Sequence, residues 1–345
     1  MKNIYFFQWP SDLGGADTRL KELIQLFAET KNYNLFCIPN DNFRLNEQHN
    51  VNFLNKNNVK ILTWETLPEK AEGFAIAFCN FRLFSEEWRI NKIKSLGLKF
   101  IWSNDMMWTT THELSALKTS LIDTVIFTSL FHRRILTKDI IEYNDIQTEF
   151  IPNYFHYENY KEKIKKPEDL KNKFVFGKLA RADFLKYSEN FPLFFDKVEI
   201  QNKHIRIMGW NQKLYNKYKW FDFNKPYWEL LDENKETSLE FLSKLDLYVF
   251  NCNHQFTENQ SRSVIEAQLL GIPVIAPNLG NFPNMIWHGR TGFVHNTIEE
   301  LYQIINKLYY DKDYYKLISE NARNISKHIW CNKNEQLRLW EKLFN

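Results

Sequence analysis

The sequence is poor in glycine and cysteine and has no long apolar run. Its 345 residues include only ten glycines and four cysteines. Cys37, Cys79, Cys252 and Cys331 lie far apart and form no Cys-x-x-Cys pair. That argues against a disulfide framework or a thiolate metal site, and it fits a reducing cytoplasm. No apolar stretch approaches the ~20 residues needed to cross a bilayer. The opening Met1-Lys2-Asn3-Ile4-Tyr5-Phe6-Phe7-Gln8 reads as a first strand rather than a secretion signal. The formal net charge is only +3. Such a balance lacks the strong basic stripe of a nucleic-acid binder, so no nucleic-acid partner is expected.

What is present describes a soluble globule, with 44% hydrophobic and 25% charged residues. The length exceeds one ordinary core and predicts two domains. The few glycines are clustered. Gly14 and Gly15 follow the first strand, Gly177 and Gly209 follow later ones, Gly271 ends a helix, and Gly280, Gly289 and Gly292 lie just beyond it. A chain this short of glycine keeps it where the backbone needs positive φ or close approach.

Short apolar runs alternate with helical patterns. Strands are expected at 4–7, 35–38, 74–78, 99–102, 125–128 and 149–151, then at 174–176, 205–208, 245–250 and 274–276. Leu20, Leu23, Ile24 and Phe27 mark the first helix by their i, i+3, i+4, i+7 spacing. A highly charged stretch, 156–173, reads as a linker between the two sets. The alternation predicts an α/β chain of two Rossmann-like, doubly wound parallel-sheet domains facing a cleft.

Chemistry concentrates in three places. In Phe256-Thr257-Glu258-Asn259-Gln260-Ser261-Arg262-Ser263-Val264-Ile265-Glu266, two carboxylates bracket a polar turn that opens an apolar helix. Free N–H groups and the helix dipole at such a start favour a diphosphate. Were the whole span helical, Glu258 and Glu266 would stand ~12 Å apart along the axis. A glycosidase acid/base pair needs ~5–9.5 Å. The spacing suits a ligand lying along the helix start, with Glu266 on ribose hydroxyls and Glu258 on a hexose. Earlier, Phe174-Val175-Phe176-Gly177-Lys178-Leu179-Ala180-Arg181-Ala182-Asp183-Phe184-Leu185-Lys186 runs from a strand into a cationic loop. Arg181 and Lys186 offer a planar fork and a point charge to phosphate oxygens. Near the start, Gly14 and Gly15 let backbone approach a ligand at a helix N-terminus. Asp311-Lys312-Asp313 reads as a helix-linking turn, and no metal site is expected.

These motifs, in this order, resemble glycosyltransferase family 4 (retaining, GT-B fold, glycosyl transferases group 1). The resemblance is strongest over 238–294, where Gly280 to Val294 is similar to the family's closing loop, although Asn284 stands where a glutamate is usual. It implies a retaining glycosyltransferase that moves a sugar from a nucleotide-diphosphate sugar, UDP-sugar or GDP-sugar, to a hydroxyl acceptor such as a glycan or lipid-linked saccharide. No separate cofactor is implied. The implied catalytic residues are Arg181, Lys186, Glu258 and Asp105. Ligand contacts would come from Gly14 and Gly15, in the family's acceptor-side glycine loop, and, for the donor, from Lys178, Asn259, Gln260, Ser261, Arg262 and Glu266. The five-residue spacing maps the phosphate pair to Arg181 and Lys186, with Lys178 as a competitor. Where relatives carry His-Asp, this chain has Asn104-Asp105, so Asp105 is the candidate acceptor-orienting residue and His112 the candidate substitute. Residues 1–157 would bind acceptor and 158–328 the sugar nucleotide, with the terminal helix 329–345 crossing back.

Two other classes stay open on sequence alone. One is a sugar-nucleotide-binding protein of the same fold without catalysis, the other a GT-B enzyme of another reaction, such as an epimerase or a nucleic-acid glucosyltransferase. A cytoplasmic location is expected. Trp88-Arg89-Ile90-Asn91-Lys92-Ile93-Lys94 adds the expectation of a peripheral membrane contact.

Overall fold

Strands that are apolar on both faces assemble into two parallel sheets. The computed structural model describes every residue except 12–13 and 142–145. The first sheet contains β1 (Lys2–Phe6), β2 (Tyr33–Cys37), β3 (Lys60–Ile61), β4 (Phe74–Phe78), β5 (Lys99–Ser103), β6 (Thr124–Phe127) and β7 (Gln147–Phe150). Their order is β3-β2-β1-β4-β5-β6-β7, and every pairing is parallel. The second contains β8 (Phe174–Leu179), β9 (Lys203–Met208), β10 (Trp228–Leu231), β11 (Leu247–Val249), β12 (Val274–Pro277) and β13 (Gly292–His295). It runs β10-β9-β8-β11-β12-β13, again all parallel. β4, Phe-Ala-Ile-Ala-Phe, is buried at every residue, as a strand covered by helices on both faces must be.

β3, β10 and β13 are not expected from the sequence. β3 has only two residues. β10 lies in the polar 211–235 stretch and is an edge strand whose Glu229 pairs across the ladder with Arg206. β13 begins on a glycine inside the closing loop.

The chain divides into two compact units, Met1–His156 with Asn332–Asn345, and Tyr157–Cys331. The helix Lys333–Phe344 belongs to the first unit. Trp340 meets Phe27 edge-on at 5.7 Å and Phe344 lies 4.6 Å from Phe74. Burying one such ring contributes about 1.5–3 kcal/mol.

The charged stretch 156–173 is not a solvated linker. Tyr160 and Leu170 are buried, Lys163 donates to the Leu245 carbonyl at 3.0 Å, and Lys166 pairs with Asp246. Lys163 and Lys166 thereby fasten the stretch to the rest of the second unit. Asp311 ends one helix and caps the next, accepting the Tyr314 N–H at 2.9 Å.

Arg206, 2% exposed, is held between Glu229 and Glu236. Burial alone would raise the Glu229 carboxyl, but hydrogen bonds from Arg206 and His204 overcome it and hold the group at about 2, against an ordinary 4.5. A carboxyl depressed in the folded state stabilises fully above its unfolded value, and that contribution is lost as pH falls from 4.5 towards 2. Thermal melts should therefore show a lower melting temperature across this window, with a shallower acid slope in Glu229→Gln. Identical slopes would remove Glu229 from the account.

Candidate functional site

In a doubly wound sheet, ligands bind outside the carboxyl ends of the strands where the order reverses. In the second unit that point lies between β8 and β11. The loop after β8 carries Arg181 and Lys186. The segment after β11 carries Glu258 and leads into the helix Arg262–Leu269.

Glu258 is half-buried in the loop before that helix, so the helical spacing estimate does not describe the pair. Burial raises its carboxyl, opposed by Lys186, the Asn259 main-chain N–H, Lys178 and Arg181. Residues far apart in sequence thus share one electrostatic neighbourhood. Arg181 is exposed and Lys186 half-buried. Among the described residues, neither head group makes a hydrogen bond or ion pair, although the Lys186 ammonium lies 5.6 Å from the Phe256 ring centre.

The other expected cations are already engaged. Lys178 is 0% exposed, and its ammonium donates to the main-chain carbonyls of Lys186 and Asn251. It also sits over Tyr187 at 4.3 Å and Phe250 at 4.4 Å, and burial pushes it down to about 7. Arg262 reaches the Tyr160 hydroxyl at 3.1 Å and Glu266 Oε1 at 3.3 Å. Tyr160 also donates to Glu266 Oε1 at 3.3 Å. These partners hold Glu266, 6% exposed, against its own helix.

The turn between the glutamates is tightly built. Asn259 is buried, and its carbonyl accepts from Asn281 Nδ2 at 2.6 Å. Gln260 is half-buried beside it. Ser261 stands at the N-cap, its Oγ 3.2 Å from Ser263 Oγ, which is 2.8 Å from the Tyr248 hydroxyl. Burial raises the Tyr248 phenol, which also feels both Glu258 and Glu266. Gly280 has φ +58, and a Cβ there would meet Glu258 N and O at 3.0 Å. Only glycine suits both constraints. Asn281 completes the contact, donating its N–H to the Glu258 carbonyl at 3.0 Å. Asn284, in place of the family glutamate, donates to Asn281 Oδ1 at 2.8 Å. Buried Gln268 ties the helix to Met285 O and Thr291 Oγ1.

The first unit presents a separate set at the ends of β1 and β5. Gly14 is the N-cap of the helix Gly15–Thr30, with φ −151, a conformation open to any residue. A Cβ there would meet only Asp17 Oδ2, at 3.9 Å. Among the described residues, neither backbone nor packing demands glycine at position 14. Asp12 and Leu13 lie outside the described residues. Asp105 has φ +60, a costly conformation for a residue with a Cβ and one that clusters at functional sites. Its carboxylate accepts from Ser103 Oγ at 2.6 Å and pairs with buried Arg19. Asn104 closes the loop, accepting the Met106 N–H at 3.2 Å and donating to the Trp108 carbonyl at 2.6 Å. His112 is exposed, its ring 5.9 Å from Phe81. His132 is buried. Its Nδ1 accepts the Thr128 N–H, so its Nε2–H donates to the Met106 carbonyl at 2.9 Å. Ile90 and Ile93 of the helix Glu87–Leu96 face the unit's own core, leaving Trp88 exposed.

Sequence reasoning did not single out Tyr160, Asn281, Gln268 or Lys217. Tyr160 lies in the supposed linker and Lys217 in an undiagnostic polar stretch; only the fold brings them to the site. Among the described residues, no group of three or more His, Cys, Asp or Glu could hold a metal, and no helix is long and apolar enough to cross a membrane. Among the described residues no disulfide forms.

Residues 159–325 match the family described as glycosyl transferases group 1. The fold recurs in HepE (Alr3699) of Anabaena, solved with UDP-glucose, at 16% identity, with 99% of each chain covered and a TM-score of 0.70. It recurs in a glycosyltransferase from Rickettsia africae, at 14% identity, covering 99% of this chain and 97% of that one, with a TM-score of 0.73. It recurs again in sucrose-phosphate synthase of Thermosynechococcus elongatus, at 14% identity, covering 100% and 99%, with a TM-score of 0.68. No curated protein matches the chain in sequence. The architecture is GT-B. The chain is a glycosyltransferase-type protein, related to glycosyl transferases group 1 through the segment that holds Arg181, Lys186, Glu258 and Glu266.

Proposed function

We propose that the chain is a retaining glycosyltransferase of family 4, moving a sugar from a nucleotide-diphosphate sugar to a hydroxyl of a glycan or lipid-linked saccharide. The observation that carries this reading is the pair of uncommitted cations, Arg181 and Lys186, beside Glu258 at the β8/β11 switch point.

The chemistry follows from charge. The bond from the sugar's anomeric carbon to the diphosphate oxygen breaks, leaving an oxocarbenium-like centre and a growing negative charge. Preorganised cations on that charge lower the barrier most. Arg181 and Lys186 would supply them, with no step routed through a metal. The acceptor oxygen bonds the anomeric carbon on the face the diphosphate leaves, and its proton passes to a departing phosphate oxygen. Glu258 would hold the hexose and Glu266 the ribose. Asp105 and the Gly14-Gly15 turn would orient the acceptor in the first unit. Uridine is the favoured base, because HepE, of the same fold, is solved with UDP-glucose.

A thermal-shift panel of uridine, guanosine and adenosine diphosphates, with and without glucose, tests the reading. A ligand that binds only the folded state raises stability by mass action. Ligand at 100 times its dissociation constant adds about 2.7 kcal/mol, and uridine diphosphate is expected to give the largest shift. No shift with any of them would refute the reading.

A further inference from the structure

The loop that presents Arg181 and Lys186 is held from behind by its carbonyl oxygens. Lys178 binds the carbonyl of Lys186. Lys217, from the helix Gln212–Lys217, donates to the carbonyls of Phe184 at 3.1 Å and Tyr187 at 2.8 Å. The Tyr218 hydroxyl takes Ser188 O at 2.6 Å, and the Tyr248 hydroxyl takes Leu179 O at 2.9 Å. A carbonyl oxygen aimed at a diphosphate would repel it. Holding these carbonyls on donors keeps them from the diphosphate and leaves the side chains of Arg181 and Lys186 for an anion.

Resting on the reading above, we infer that Lys178 and Lys217 are positioning residues, which set Arg181 and Lys186 against the diphosphate by gripping the main chain between them. Neither lysine needs to touch the donor. Lys178 also binds Asn251 O just beyond β11, so one ammonium joins the loop after β8 to the segment that leads to Glu258. No carboxylate hydrogen-bonds it among the described residues; three rings, Tyr187, Phe250 and Phe191, surround it instead. The charged and titratable groups that face it are Cys252, Lys186, Glu258 and Lys217. Lys217 itself pairs with exposed Glu189 at 2.8 Å.

A diphosphate bound nearby favours the charged form of Lys178. Free protein holds that ammonium near 7. Above that pH it is partly neutral, so binding takes up a proton; well below it the group is already charged and uptake disappears. A lysine remote from the diphosphate would show no such coupling.

The test uses the full chain and uridine diphosphate, titrated calorimetrically at pH 8 in two buffers of different ionisation enthalpy, with donor kinetics alongside. Wild type is expected to take up a fraction of a proton on binding, and Lys178→Met none. Lys178→Met should lower kcat/KM for the donor at least tenfold. Lys217→Met should lower it threefold or more, chiefly through kcat, with recovery in Lys217→Arg. If Lys178→Met does not fold, Lys217→Met and its rescue decide the matter. Both variants matching wild type in kcat, KM and proton uptake would overturn the inference alone. Wild type that binds no nucleoside diphosphate would overturn the functional reading and this inference together.

Discussion

Replacing Arg181 with alanine is expected to lower kcat about 10²–10³-fold, the loss typical of one preorganised donor to developing charge. The guanidinium is exposed and, among the described residues, forms no hydrogen bond or ion pair, so its removal breaks nothing internal. The melting temperature should stay near wild type. The diphosphate carries more charge as a leaving group than in the intact donor, so the effect falls on turnover more than on donor KM. Lys in place of Arg181 should recover only part of the rate, because a point charge cannot make the planar two-oxygen contact. Wild-type kcat in Arg181→Ala, measured as nucleotide release in a coupled assay, would move the leaving-group role elsewhere.

Glu266→Ala is expected to weaken nucleotide binding about 10- to 100-fold, the range for losing a hydrogen bond to a charged group. Unlike Arg181, this side chain has internal work. Its Oε1 receives Tyr160 and Arg262, while its Oε2 has no hydrogen bond among the described residues. The alanine variant should therefore also melt lower, since Arg262 loses a counter-charge at a nearly buried position. A ribose anchor fails equally for a nucleoside diphosphate and its sugar. Glu258→Ala, by contrast, should weaken only the sugar nucleotide. Equal affinities of wild type and Glu266→Ala for the diphosphate would remove Glu266 from the ribose.

Much of the fold was legible because parallel strands buried on both faces write themselves as continuous apolar runs. Phe74–Phe78 shows this in five residues. β10 was not legible, because as an edge strand it carries Glu229, which exists to pair with an arginine on the neighbouring strand. The stretch 156–173 misled for a related reason. Its lysines look solvated, yet Lys163 and Lys166 are fastened to residues 245 and 246.

At the site, the five-residue spacing prefers Arg181 and Lys186 and keeps Lys178 as a competitor, without showing what each head group does. Burial separates them physically: Lys178 points into two carbonyls and an aromatic box, while the other two remain uncommitted. Arg262 reads as a donor contact at a helix start, and the fold adds Tyr160, 102 residues earlier, as its partner. Asn104 stands where relatives carry a histidine, and the fold gives its amide to the loop that carries Asp105. For Lys178 and Arg262 the deciding partners, Asn251 and Tyr160, are distant in sequence, which neither local pattern nor motif spacing encodes, whereas the partners of Asn104 are local.

The central claim is that Arg181 and Lys186 hold a diphosphate. It is tested most directly by comparing uridine diphosphate with uridine monophosphate by calorimetry, in wild type and in the Arg181→Ala/Lys186→Ala double variant. The account predicts that wild type binds the diphosphate at least tenfold more tightly than the monophosphate, and that the double variant binds the two alike. A preference that survives intact without both cations would contradict it.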